Sequence, residues 1–286
     1  MIMLYIILTQ MSHIQHSNTQ TLKHSKGNTM DFSKLKSMSG KKSMEALNAE
    51  LSKMANQDSG KKGADERFWT PTVDKSGNGY NMIGAGNPTW AKFGNNGVVN
   101  FDGTGDALYS SNYWGGGGKF TMFSVARYTH ADGNGRVIAD RTRNWLFGFQ
   151  GGSLQRWHFG GWLTNENYQK DQLFHIHSAS MNDTDQGNTY FDGRQVGDVD
   201  GTGAHNTTYM PQQLQFGGWG TNTEYSKCEV AEFIAFNRVL SKGERQAIEG
   251  YLAHKWGLTA RLPNGHGNQA MPSGIGDGLA PEFSVT

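Results

Sequence analysis

Over residues 81–262 apolar and polar side chains alternate in short runs, several of them cut off by glycine paired with aspartate or another glycine. That rhythm constrains the fold more than any other feature, because successive side chains of a β-strand point to opposite faces and a half-buried strand therefore reads with period two. The runs fall at 98–101, 120–128, 136–139, 145–149, 155–159, 173–180, 189–191, 214–216 and 229–236. Between them stand Asp102-Gly103, Asp132-Gly133, Gly151-Gly152, Asp192-Gly193 and Gly217-Gly218, which are turn sequences. Short strands so punctuated pack as two antiparallel sheets face to face, and an all-β sandwich is expected. The 39 glycines against 6 prolines, with aromatics at 12%, fit tight turns between strands and argue against a helical bundle.

One helix closes this region. Ser241 and Glu244 have capping-box spacing, Ala247, Ile248, Tyr251, Leu252 and Trp256 fall on one face, and Gly257 stands where a C-terminal cap belongs. The rest of the chain reads differently. Residues 1–29 open on an apolar run without the basic segment or cleavage site of a signal peptide, continue polar and aperiodic, and are expected to be a disordered or untranslated leader, with Met1 and Met30 both open as starts. Residues 30–73 form a basic arm in which Ser43 can cap a short helix carrying Met44, Leu47, Leu51 and Met54 on one stripe. Residues 263–286 are expected to be a flexible tail.

A formal net charge of +1 gives the whole molecule no electrostatic footprint for nucleic acid or an acidic membrane, so polyanion affinity must be local, as at Lys41, Lys42 and the neighbouring lysines of the arm. The opening apolar run is too short to span a bilayer. Cys228, the one cysteine, permits no internal disulfide and reads as a small buried strand residue.

Two resemblances add to this. VNFDGTGDAL (99–108), FTMFSVARY (120–128), YFDGRQVG (190–197), LQFGGWG (214–220) and EVAEFIAFNRVLSKGERQAIEGYLAHKWGL (229–258) resemble, in order, the laminin-G-like, concanavalin-A-like domains of marine bacterial and phage sequences. The resemblance covers residues 74–262 and implies a jelly-roll sandwich that recognises carbohydrate or a protein surface without catalysis. After Leu262-Pro263 the sequence NGHGN departs from the family.

MDFSKLKSMSGKKSMEALNAELSKM (30–54) and DERFWTPTVDKSGNGY (65–80) resemble the N-terminal arm of the single-stranded-DNA-binding protein of T-even-like marine phages. That implies protomer contacts, or weak binding of single-stranded DNA, through Lys41, Lys42 and Ser43, and a replication accessory as an alternative function. A virion decoration or adhesion protein is a third reading. Phage origin would place the protein in the host cytoplasm or the virion; the sequence itself leaves localisation open. The oligonucleotide-binding fold and zinc ligands of that family are missing, and VDKSGNGYN (73–81) fits both families, as a recombination or a joined read would leave it.

No catalytic constellation emerges, and the chain is expected not to be an enzyme. Glu229 and Glu232, spaced by three on one strand, are expected on opposite faces. His175 and His177 share a strand face but lack a third metal ligand, and half-exposed strand positions are the simpler reading. Asn182, Asp183 and Asp185, and separately Asp198 and Asp200, are oxygen-rich and suit calcium or plain turns. Trp114, Trp145, Trp157, Trp162, Trp219 and Tyr225 offer planar faces on which sugars stack, with Arg143, Asn144 and Asn165 to hold hydroxyls, although several of these rings must fill the core.

Overall fold

The computed structural model describes residues 3–7, 80–94, 96–113, 119–164, 171–184, 186–200, 211–221 and 223–267. Its strands are β1 (Met3–Ile7), β2 (Met82–Ala85), β3 (Thr89–Phe93), β4 (Asn96–Asp102), β5 (Ala107–Ser110), β6 (Phe120–Tyr128), β7 (Ile138–Asp140), β8 (Trp145–Gln150), β9 (Ser153–Phe159), β10 (His175–Met181), β11 (Gln186–Phe191), β12 (Arg194–Asp200), β13 (Leu214–Phe216) and β14 (Lys227–Phe236). An eight-stranded sheet runs β12-β11-β10-β6-β14-β4-β3, with β1 also paired to β14, and a six-stranded sheet runs β2-β5-β13-β7-β8-β9. All these pairings are antiparallel, which gives the expected jelly-roll sandwich.

Alternation along the strands sorts the side chains. Met122 and Ala126 of β6 turn inward, into the core that holds Trp145, Phe147 and Trp157 of the smaller sheet, and Phe233 of β14 lies 5.4 Å from Phe216 and 6.3 Å from Phe147, ring centre to ring centre. Phe123 and Val125 turn outward, where α1 (Lys242–Lys255) covers them with Ala247, Ile248, Tyr251 and Leu252. Both caps of α1 form as read. Ser241 and Glu244 close the capping box, and past Trp256 the backbone N–H of Gly257 (φ 70°) donates to His254 and that of Leu258 to Ala253, a Schellman closure that needs a positive φ.

The helix is also pinned by buried charge. Glu232 accepts from Trp256 Nε1 at 2.7 Å and from Tyr251 Oη at 3.2 Å, with Lys255 Nζ 3.4 Å away. Glu249, wholly buried, accepts from Ser178 of β10, Arg245 and His266. A buried carboxylate is tolerated only with such donors around it.

In its strands and their register the structure departs from the sequence reading as follows. Met3–Ile7, read as part of a leader, pairs residue for residue with 232–236 of β14. Glu229 and Glu232 share a face, because a register shift between Val230 and Glu232 sets them opposite Arg127 and Val125, which are two apart on β6. Both are committed to structure, since Glu229 accepts from Arg127 Nε at 2.8 Å and Glu232 holds the helix. Short strands β2, β3 and β5, and the turn-rich β12, lay below the period-two signal. The helix expected from Ser43 and the tail beyond residue 267 lie outside the described residues.

Candidate binding surface on the smaller sheet

Hydrogen-bonded registers line up Ile83, Tyr109, Gln215, Ala139, Leu146 and His158 across the six strands of the smaller sheet. None belongs to the inter-sheet core, so the row marks the outer face. Its middle is buried at Gln215, Ala139 and Leu146, whereas its two ends, Ile83 and His158, reach solvent. Gln215 is fully buried, and among the described residues neither its amide oxygen nor its amide nitrogen has a hydrogen-bond partner.

At the β9 end of the row an aromatic and cationic strip forms. Arg156 and His158, two apart on β9, flank Trp162: the guanidinium lies 4.9 Å from the Trp162 ring centre and the imidazole meets it edge-on at 5.1 Å. A backbone bridge between His158 and Trp162 folds the chain back so that the indole sits there. Trp162 remains 41% exposed. His158 Nδ1 donates to the carbonyl of Asn144 at 2.8 Å, which ties the strip to the β7–β8 turn.

Asp140 shapes that turn. Its buried carboxylate accepts from the backbone N–H and hydroxyl of Thr142, from the N–H of Arg143 at 2.6 Å, and from the N–H groups of Gln212 and Gln213. Arg143 and Asn144 are thereby fixed beside Trp219, whose Nε1 donates to the Arg143 carbonyl at 3.1 Å. Arg136 completes the arrangement, its guanidinium 4.0 Å from the Trp219 ring centre, donating to Glu224 at 2.7 Å and to Asn144 Oδ1 at 2.9 Å.

Of the residues singled out in the sequence, Arg143, Asn144, Trp162 and Trp219 thus come together. Trp145 and Trp157 do not: both are fully buried between the sheets, so neither offers a face to a ligand. Tyr225 donates its hydroxyl to the Thr221 carbonyl at 2.9 Å. Trp114 and Asn165 lie outside the described residues. Arg136, Arg156, His158 and Gln215 were missed. For Arg156 and His158 a signal existed, since in QRWHF the apolar Trp157 and Phe159 alternate with them and assign them to the opposite face.

The other sites resolve differently. His175 and His177 share a face but are buried, not half-exposed. His175 is held between Asp192 at 2.7 Å and Asp171 at 3.0 Å; burial lowers its basicity, but its hydrogen bonds to the two carboxylates outweigh that and raise its pKa. His177 is pushed down to about 3 by burial, and its Nε2 donates to the Leu154 carbonyl. A Cβ at Gly148, where φ is +87°, would lie 2.6 Å from His177, so this glycine makes room for the ring. Cys228 is buried as expected.

Asp183 pairs with Lys119 at 3.3 Å, and the side-chain oxygen of Asn182 accepts from Thr184 and Gln186 within its own turn. Asp198 and Asp200 stand on β12, opposite Asn188 and Gln186, not in a loop. Asp185 and the arm residues Lys41, Lys42 and Ser43 lie outside the described residues. Among the described residues no three His, Cys, Asp or Glu side chains are grouped to hold a metal ion, and no helix is long and apolar enough to cross a membrane.

No family model and no curated protein matches the chain. Solved structures do. The binding domain of botulinum neurotoxin DC in complex with SialylT is 12% identical, with a TM-score of 0.46 over 64% of this chain and 49% of that one. The receptor-binding domain of botulinum neurotoxin type G is 13% identical, with a TM-score of 0.44 over 64% and 49%. The binding domain of paraclostridial mosquitocidal protein 1 is 12% identical, with a TM-score of 0.46 over 63% and 49%. The chain thus spans about half the length of the structures it matches.

Proposed function

We propose that the protein is a non-catalytic carbohydrate-binding module and that the strip formed by Arg156, Trp162, His158 and Asn144 at the β9 end of the smaller sheet is its contact surface. The observation that carries this reading is the exposed indole of Trp162, flanked on two sides by Arg156 and His158. A fixed, half-solvated ring presents the planar face on which the C–H groups of a sugar stack, and the polar groups beside it can hold hydroxyls. Asn144 and Arg143 supply such groups from the turn that Asp140 holds.

The charge around the ring favours an acidic sugar. Arg156 stands 4.9 Å from the indole ring centre and Arg143 lies on the adjoining turn, which Asp140 shapes through backbone N–H groups. A carboxylated or sulfated glycan would meet guanidinium groups there.

A glycan array probed with the full chain and with Trp162→Ala tests the proposal. Signals confined to acidic glycans and lost in the variant support it. An array silent for the full chain, or signals unchanged by the substitution, would refute it.

A further inference from the structure

Strand β14 has two neighbours along one of its edges. Residues 99–102 of β4 pair with 227–230, and there the contact stops: 96–98 pair only with β3. The register shift between Val230 and Glu232 marks the change. Beyond it, the edge of 232–236 is taken by β1, in the register Met3 to Phe236 through Ile7 to Glu232. Without β1 this stretch would present a row of open backbone groups on a strand whose Phe233, Ile234, Ala235 and Phe236 are all buried, the kind of edge that templates pairing with another chain.

The strand that fills this edge comes from far away in the sequence. Residues 8–81 separate β1 from β2, a length that reaches up to roughly 240 Å when extended, several times the width of a domain of this size. We propose that the edge of 232–236 is a strand-exchange slot, which takes Met3–Ile7 from its own chain or, in the same register, from a second copy, so that two copies join reciprocally. Backbone pairing makes no distinction between the two sources, and mass action decides: the slot closes within one chain when dilute and between chains when concentrated.

Cysteine pairs placed in register read the exchange directly. Leu4 and Ala235 are register partners, and directly opposed positions of an antiparallel pair stand at a separation a disulfide can span. The native Cys228 is buried, with burial raising its thiol pKa well above the ordinary range, and stays out of the reaction. The double variant Leu4→Cys/Ala235→Cys is expected to close an internal disulfide when dilute. Two differently tagged full-length chains, one Leu4→Cys and one Ala235→Cys, are expected to form a disulfide-linked heterodimer whose yield rises with concentration.

Sedimentation of the unsubstituted chain gives a readout free of any core change: a dimer that grows with concentration and is abolished by Leu4→Pro/Tyr5→Pro. Consecutive N–H groups of a strand point to opposite edges, so the pair of prolines removes a donor that faces β14. An internal disulfide without heterodimer at any concentration, no disulfide of either kind, or a chain that stays monomeric or dimerises equally well with the two prolines would each overturn the exchange.

Discussion

The two sheets share one interior and differ on their outer faces. The outer face of the eight-stranded sheet is closed by α1, with Phe123, Val125, Ile176 and Ile234 packed on the helix and two buried carboxylates, Glu232 and Glu249, tying helix to strand. The outer face of the six-stranded sheet carries in its middle a buried Gln215, without a partner among the described residues, and, at its β9 end, Arg156, His158 and the exposed Trp162. Even the tryptophans separate: Trp256 gives its indole N–H to Glu232 and its ring to the core, whereas Trp162 keeps a face toward solvent. The same side-chain chemistry therefore serves cohesion under the helix and, in the function proposed, recognition at the β9 end, and what decides is whether another layer lies over the ring.

The largest effect belongs on the helix side. Trp256→Ala removes a fully buried ring and takes one donor from Glu232, and should cost about 3 to 5 kcal/mol in denaturant unfolding. A loss near zero would mean that the helix does not hold the sheet.

Acid should weaken the same side at the helix start. Burial raises the pKa of Glu244, but hydrogen bonds from Arg238 and the Ser241 cap outweigh it and hold the carboxyl at about 2. That lies below the roughly 4.3 of an unfolded glutamate, so its contribution is present above that pH and is lost as the pH falls toward 2. The stability gap between the unsubstituted chain and Glu244→Gln should accordingly shrink from pH 5 downward; a gap constant over that range would contradict the assignment.

On the smaller sheet the effects on stability are small and run the opposite way. Gln215→Leu replaces a buried amide that makes no hydrogen bond among the described residues, and should raise stability by about 1 kcal/mol. A clear loss on that substitution would show the amide to be satisfied in solution.

Much of this fold was legible because strand alternation and helix caps are local. In WLFGF the spacing of Trp145, Phe147 and Phe149 marks one inward face, and Ser241, Glu244 and Gly257 fix both ends of α1. Register is not local. The shift after Val230 that turns Glu232 onto the face of Glu229, and the pairing of Met3–Ile7 with a strand more than two hundred residues away, leave no mark on the residues themselves. The candidate surface was half legible for the same reason: indoles announce large planar side chains, but only their place in the sheet separates Trp157, packed inside, from Trp162, left outside.

The central claim, that the β9 end of the smaller sheet carries the binding face, is tested most directly by calorimetric titration of an acidic oligosaccharide into the full chain, Trp162→Ala and Arg156→Ala. Both variants should still unfold in one cooperative transition. Affinity should fall at least tenfold in Trp162→Ala and by less in Arg156→Ala, with the Arg156 effect shrinking as salt is added, in keeping with about 1.4 kcal/mol or more from one stacked ring. Undiminished affinity in folded Trp162→Ala would contradict the claim.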